Sequence, residues 1–403
     1  VETTCHGDRI VKARTANLLV LLASALIAAV LAEIVLARFF PQPTMNRLLA
    51  DSPRVFSASD LLPYDLIPSC ESALIRDEFQ TPIRINSHGY RGDDFAITKS
   101  GRFRILAIGD SFTFGYGCAG HQAYPSVLEA CLAEALGAGR VEVINAGFAA
   151  CNYPDTYYLY LKERGVDLDP DLILVGVFVG NDLDHDLVHE HVWPRVDDAG
   201  LPLRIENTLF HVEDGYWVSR RPLLRYRLPI VRNSHLAQLV VSALKRARHR
   251  NQAPTSFNRW MYRRHYADRT DAAVDRVVSL LSAMATLAAE RSVPILCVII
   301  PAREQVYPER YEFSRYPFMA GHDLEKPQRI LRRRLADEGL QWLDLLPAMR
   351  AASEDAALYY EVDQHWNGRG HEVAGRAIAD SLLRRKLIPG RPDDPPRRLP
   401  SPS

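Results

Sequence analysis

Three short segments of this chain are apolar at almost every position: "FRILAIG" (103–109), "DLILVGVFV" (171–179) and "VPILCVII" (293–300). A strand with one face in water alternates apolar and polar residues, whereas a strand covered on both faces does not. "VEVINAG" (141–147) and "LQWLDL" (340–345) complete the set. Between these segments run stretches with helical periodicity, at Tyr124–Leu136, Pro154–Arg164, Ala272–Arg291 and Lys326–Glu338. Strands alternating with helices predict an α/β protein, a three-layer α/β/α sandwich around a mainly parallel sheet of about five strands. Its crossovers are expected to be right-handed.

The N-terminus is of another kind. From Ala16 to Phe40 the chain reads "ANLLVLLASALIAAVLAEIVLARFF", with Glu33 as its only acid. That length suits a bilayer-spanning helix. Arg9, Lys12 and Arg14 precede it, which favours a cytoplasmic N-terminus and an outward bulk, although Arg38, Arg47 and Arg54 lie on the other side. "VLA" before Glu33 has the small residues of a signal-peptidase site, so a cleaved signal is the rival reading. The apolar run continues past that site and stops at Pro41-Gln42-Pro43, which favours a retained anchor. The expected organisation is a cytoplasmic leader (1–15), a transmembrane helix (16–40) and an irregular extension (41–100). An α/β domain (101–390) follows, with an insertion at about 184–270, and then a proline-rich disordered tail (391–403). The bulk is thus placed outside the cytoplasm, in a periplasmic or extracellular setting.

Charge gives little direction. Lys+Arg 49 against Asp+Glu 49 leaves no net charge to select a partner, and nucleic acid is not expected for an outward-facing chain. Arg220 to Arg264 holds about a dozen basic residues and no acid. Such a stretch suits either a solvated face or contact with anionic lipid or an acidic polysaccharide. The six cysteines lack metal-type spacing. Cys131 and Cys297 read as inert core residues, and Cys118 and Cys151 as free thiols or a disulfide pair.

Ligands of open parallel sheets bind beyond the carboxyl ends of the strands. The first segment ends in Gly109-Asp110-Ser111, the second in Asn145-Ala146-Gly147 and the third in Gly180-Asn181-Asp182. Near the C-terminus, "VDQHWNGRGH" sets Asp363 and His365 just before a helical stretch. Taken singly, each is as readily a helix cap or a turn. Together they make the inventory for acyl transfer through a serine. "DLDHDLVHEHVW" gathers His185, His189 and His191 among acids, but its spacing fits no zinc pattern, so a solvated loop or a polar rim is expected and no metal. "IPAREQVYPERY" offers Arg303 or Gln305 to the same edge, and "NSHGYRG" (86–92) reads as a turn without chemistry.

These blocks resemble those of the SGNH (GDSL-type) hydrolase superfamily, in a membrane-anchored form. "GDSFTFG" is similar to its first block at Ser111, "NAGFAA" to the second at Gly147, "GNDLDH" to the third at Asn181 and "VDQHWNGRGH" to the last at Asp363 and His365. Two departures stand out. Val179 occupies the position of the usual glycine of the third block, and one residue separates Asp363 from His365 where two are usual. The D-x-H-W form looks like that of bacterial polysaccharide O-acetylation proteins. In an extended segment residues two apart share a side, so the pair is expected to meet.

The resemblance implies a flavodoxin-like SGNH fold and a Ser111–His365–Asp363 triad. It further implies an oxyanion hole from the backbone N–H groups of Ser111 and Gly147 and the side chain of Asn181. The leading expectation is an extracytoplasmic serine esterase acting on an O-acyl, most simply O-acetyl, ester of a glycan or lipid. An O-acyltransferase modifying an envelope or secreted polysaccharide is the alternative, and it would need an acyl-exporting membrane partner. A non-catalytic binding or assembly protein is the third reading. No cofactor is implied, because the triad carries its own nucleophile, base and electrostatics.

Overall fold

Side chains of a strand point alternately to its two faces, so an all-apolar strand folds only where both faces are covered. The computed structural model, which describes residues 2–42, 54–76, 78–150, 152–183, 192–207, 210–220, 228–251, 259–266, 268–310 and 322–389, meets this condition with one central sheet. Its strands are β1 (Phe103–Gly109), β2 (Val141–Gly147), β3 (Leu172–Phe178), β4 (Ile295–Ile300) and β5 (Gln341–Asp344). All neighbours pair in parallel, in the order β5-β4-β3-β1-β2. After β1 the chain adds β2 on one side, then returns to place β3 on the other. The point of reversal, between β1 and β3, is where open sheets of this order bind their ligands.

β1 shows how the two cores divide. Ile105 and Ala107 join one cluster, with Tyr124, Leu128 and Leu132 of one helix and Ala374, Ile378 and Leu382 of another. Leu106 and Ile108 point the opposite way, toward Tyr157, Leu161, Val277, Leu281, Met284 and Leu331. Each fully buried aliphatic side chain stabilises the sandwich by about 1.5–3 kcal/mol. Among the helices are α1 (Glu2–Phe39), α2 (Ser111–Phe114), α3 (Tyr124–Leu136), α4 (Pro154–Glu163), α5 (His235–Asn251), α6 (Asp268–Ala289), α7 (Lys326–Asp337), α8 (Leu346–Ser353) and α9 (Gly368–Arg384). The N-terminal end of the sheet is pinned by Arg104, fully buried on β1. Its guanidinium donates to Glu142 Oε1 of β2 at 2.8 Å and to the carbonyls of Ala96, Ile97 and Leu168.

The chain divides into two compact units, residues 1–50 with 221–251 and residues 51–220 with 252–403. In the first, Arg14–Phe39 forms a 26-residue stretch of α1 long and apolar enough to cross a membrane, with Leu18, Leu22, Leu26 and Leu31 exposed. Glu33, on this helix, turns its carboxylate to the start of α5. It accepts from Ser234 Oγ at 2.8 Å and from the N–H groups of His235 and Leu236 at 2.7 and 2.9 Å. Helix α6 is also apolar enough by composition, but it buries Val274, Val277, Leu280 and Met284 against the sheet. The basic stretch contains α5, and the hairpins Val192–Val196 with Pro202–Asn207 and Phe210–Glu213 with Tyr216–Ser219 precede it, neither hairpin being marked in the sequence. A further hairpin, Glu71–Ile75 with Gln80–Arg84, forms in the stretch 41–100 that was expected to be irregular.

Candidate active site

The turn after β1 is tight because Gly109 carries no side chain: a Cβ there would lie 2.2 Å from Thr113 Oγ1. Asp110 caps the single turn of α2, its Oδ1 accepting from Phe112 N–H at 3.0 Å. Ser111 follows as the first residue of that turn. Its Oγ lies 2.8 Å from Nε2 of His365, and Nδ1 of His365 lies 2.6 Å from Oδ1 of Asp363. Hydroxyl, imidazole and carboxylate therefore form one chain of hydrogen bonds across 254 positions of sequence. The imidazole is held between two rings, Phe112 at 5.1 Å and Tyr116 at 4.5 Å, both tilted by 35°. Trp366 is fully buried beneath Phe112, at 4.8 Å and nearly edge-on, so the tryptophan of D-x-H-W anchors the block to α2.

The Asp363–His365 contact arises differently from the extended geometry expected of it. Residues 361–363 form a turn, and Gln364 adopts φ +72° in the left-handed region. That twist, rather than strand alternation, brings two side chains one residue apart onto the same hydrogen bond. Burial alone would raise the Asp363 carboxyl. The hydrogen bond and charge of His365 outweigh it and hold the group below the usual range. A carboxylate that stays ionised can orient the ring and stabilise its cationic form.

Gly147 and Asn181 are brought to the same edge, with partners the sequence did not reveal. A Cβ on Gly147 would lie 2.1 Å from Phe114 N, so glycine here lets α2 pack onto the end of β2. Its N–H donates to Asn145 Oδ1 at 3.0 Å. Asn181 Nδ2 donates to Asp110 Oδ2 at 3.1 Å, which leaves its second amide hydrogen for another acceptor. Asp110 thus links the cap of α2 to the amide of Asn181. It is fully buried, and burial pushes its carboxyl up to about 6. Asp182, also buried, accepts from Phe178 N–H at 2.9 Å and Tyr157 OH at 3.3 Å. Burial first, and then the charge of Asp110, raise its carboxyl as well.

Asp110 was legible in part, since its block was quoted for the serine beside it. Nothing in the sequence marked its bond to Asn181, 71 positions away. Gln305 is fully buried, with its side chain bonded to Gln328 and to the Leu324 carbonyl. Arg303 instead donates to the carbonyls of Tyr360 and Glu361. Cys118 is a buried free thiol; Cys151 and the histidines at 185, 189 and 191 lie outside the described residues.

A parallel sheet with a serine, a histidine–carboxylate pair and an asparagine gathered at its point of reversal defines an SGNH-like α/β class. Residues 256–397 match the family model described as the SGNH hydrolase-like domain of acetyltransferase AlgX, a segment that includes Asp363 and His365 but not Ser111, Gly147 or Asn181. The chain is 25% identical over 135 residues to the "Probable alginate O-acetylase AlgJ" of Azotobacter vinelandii, covering 33% of this chain and 34% of that protein. It is 29% identical over 98 residues to the protein of the same name from Pseudomonas aeruginosa, covering 24% of each. The chain thus spans about a quarter to a third of the curated relatives it matches. Among solved structures, the lipase/acylhydrolase from Enterococcus faecalis is similar at 15% identity with a TM-score of 0.38, over 70% of this chain and 96% of that one. The resemblance to SGNH-like polysaccharide O-acetylation proteins drawn from the four sequence blocks holds.

Proposed function

We propose that this chain is an extracytoplasmic O-acyltransferase that moves an acyl group, in the simplest case acetyl, to or from a polysaccharide hydroxyl through an acyl-serine at Ser111. The observation that carries this reading is the continuous hydrogen-bond chain from Ser111 Oγ through His365 to Asp363. Ser111 Oγ attacks the carbonyl carbon of an ester while His365 Nε2 takes the hydroxyl proton. The C–O bond to the leaving alcohol then breaks and His365 returns that proton to it. Deacylation repeats the steps with an incoming hydroxyl. Asn181 offers its remaining amide hydrogen to the oxyanion, and the first-turn N–H of Ser111 is a second donor. Gly147 joins them only if its N–H leaves Asn145.

Transfer is favoured over hydrolysis by the likeness of residues 256–397 to an acetyltransferase domain, the part that holds the D-x-H-W block. Hydrolysis of the same acyl-serine, the esterase reading, is supported by the partial exposure of His365 and Asp363, at 24% and 18%, which leaves the base within reach of water. The exposed apolar face of α1 supports a membrane anchor, with an acyl-exporting membrane protein as donor in the transferase case.

The test compares the full chain in detergent with its Ser111→Ala variant, using a nitrophenyl acetate donor with and without a polyuronate oligosaccharide. Serine-dependent release that accelerates with oligosaccharide and yields an O-acetylated sugar supports transfer. Rapid serine-dependent release indifferent to the sugar supports hydrolysis. Undiminished turnover in Ser111→Ala would sink both.

A further inference from the structure

The block that supplies Asp363 is not held by the α/β sandwich alone. The turn at 361–363 lies outside any helix or strand, so its backbone N–H groups need partners from elsewhere. They find one carboxylate. Glu78 Oε1 accepts from Glu361 N–H at 2.8 Å, and its Oε2 accepts from Val362 N–H at 2.9 Å and from Asp363 N–H at 2.7 Å. Three successive donors converge on one carboxyl group, and together they fix the local conformation of the turn. Glu78 stands 285 positions before Asp363, between the strands of the hairpin Glu71–Ile75 and Gln80–Arg84.

The same hairpin tip reaches the imidazole indirectly, through a ring packed on it. Phe79 packs against Tyr360 at 4.6 Å and Tyr116 at 5.8 Å, and Arg76 Nε donates to Tyr116 OH at 2.7 Å. Tyr116 is the ring that covers His365. Arg303 holds the carbonyls of Tyr360 and Glu361. The segment is therefore held by its N–H groups through Glu78 and by its carbonyls through Arg303. Gln364 sits in its left-handed conformation immediately after this grip.

We infer that Glu78 is a positioning residue of the site: by holding the N–H groups of Glu361, Val362 and Asp363, it sets the turn that presents the Asp363 carboxylate to His365. The inference rests on the triad reading given above. Glu78 does not touch the reacting atoms, and its effect passes through Asp363. Two consequences separate this role from a merely structural one. Losing Glu78 should slow activation of Ser111, and it should have no further effect once Asp363 is gone.

The experiment measures the rate at which a fluorophosphonate labels Ser111 in the full chain, a reading that needs no knowledge of the acceptor. Glu78→Ala is expected to slow labelling by about 10–100-fold, the scale of a misplacement of about 1 Å in a catalytic group. Glu78→Gln, which keeps one carbonyl acceptor, should fall between. In an Asp363→Ala background, Glu78→Ala should change labelling by less than about twofold. Thermal melting of each variant checks folding; if Glu78→Ala does not fold, Glu78→Gln carries the same comparison. Unchanged labelling on loss of Glu78, or an equal loss with and without Asp363, overturns the inference. Labelling that persists in Ser111→Ala overturns the triad reading and the inference with it, so the two failures are distinguishable.

Discussion

At the scale of single residues, the most telling position is Gln364. A left-handed conformation costs a non-glycine residue on the order of 1–2 kcal/mol, and β-branched residues more. Gln364→Gly should therefore keep serine labelling and match or slightly raise the melting temperature. Gln364→Val should lose about 1–3 kcal/mol and most labelling, because relief of strain turns the Asp363 carboxylate away from His365. Equal behaviour of the two variants would contradict the account of the one-residue spacing. Asp110 and Asp182 give a second prediction, in pH. Their folded-state carboxyls are raised, Asp110 to about 6, above an unfolded value near 3.9. Below the unfolded value both states are protonated and the pair costs nothing. Between it and the folded value the unfolded chain ionises first, so stability falls as pH rises. Asp363 acts in the opposite sense: its lowered value gives stability that is present above about pH 4 and lost as pH falls through the folded value. Urea midpoints from pH 4 to 8 should decline, and decline less in Asp182→Asn. A flat profile in the parent chain would contradict the burial argument.

At the scale of elements, what the sequence made legible follows from how local each cause is. β1, β2 and α3 were readable to the residue, because covered strands keep few polar residues and one-sided burial writes a helical stripe. The hairpin at 71–84 was not, since short strands with Pro82 among them carry little pattern. Ser111, His365 and Asp363 could be named from their blocks, whereas Glu78 and the Asp110–Asn181 bond depend on chain segments meeting in space. The cap of α5 belongs to the same category. Its N-terminal donors are satisfied by Glu33 of another helix, about 200 positions earlier. Glu33→Ala should destabilise the first turn of α5 by about 1 kcal/mol. Hydrogen exchange on the detergent-solubilised chain should then show faster exchange at His235 and Leu236 and unchanged exchange in β1 and β3. Uniform acceleration would mean that Glu33 supports more than a cap.

For the whole molecule, the question is on which side of a membrane the sandwich works. The basic residues ahead of α1 favour an outward domain, as the proposed action on an envelope or secreted polysaccharide would require. Protease added to intact spheroplasts should remove the α/β domain and leave a fragment containing α1. Protection of the domain until the membrane is lysed would reverse the proposed orientation.

The span of 254 positions between Ser111 and His365 also bears on the history of each molecule. A ribosome completes the serine, the sheet strands that frame it and the whole insertion before it reaches the histidine. Until α9 has been synthesised and has docked, the hydroxyl has no base, and Glu78 has no turn to grip. On the proposed mechanism, a chain interrupted during synthesis or export before residue 365 would carry a serine without its base and could not begin to acylate.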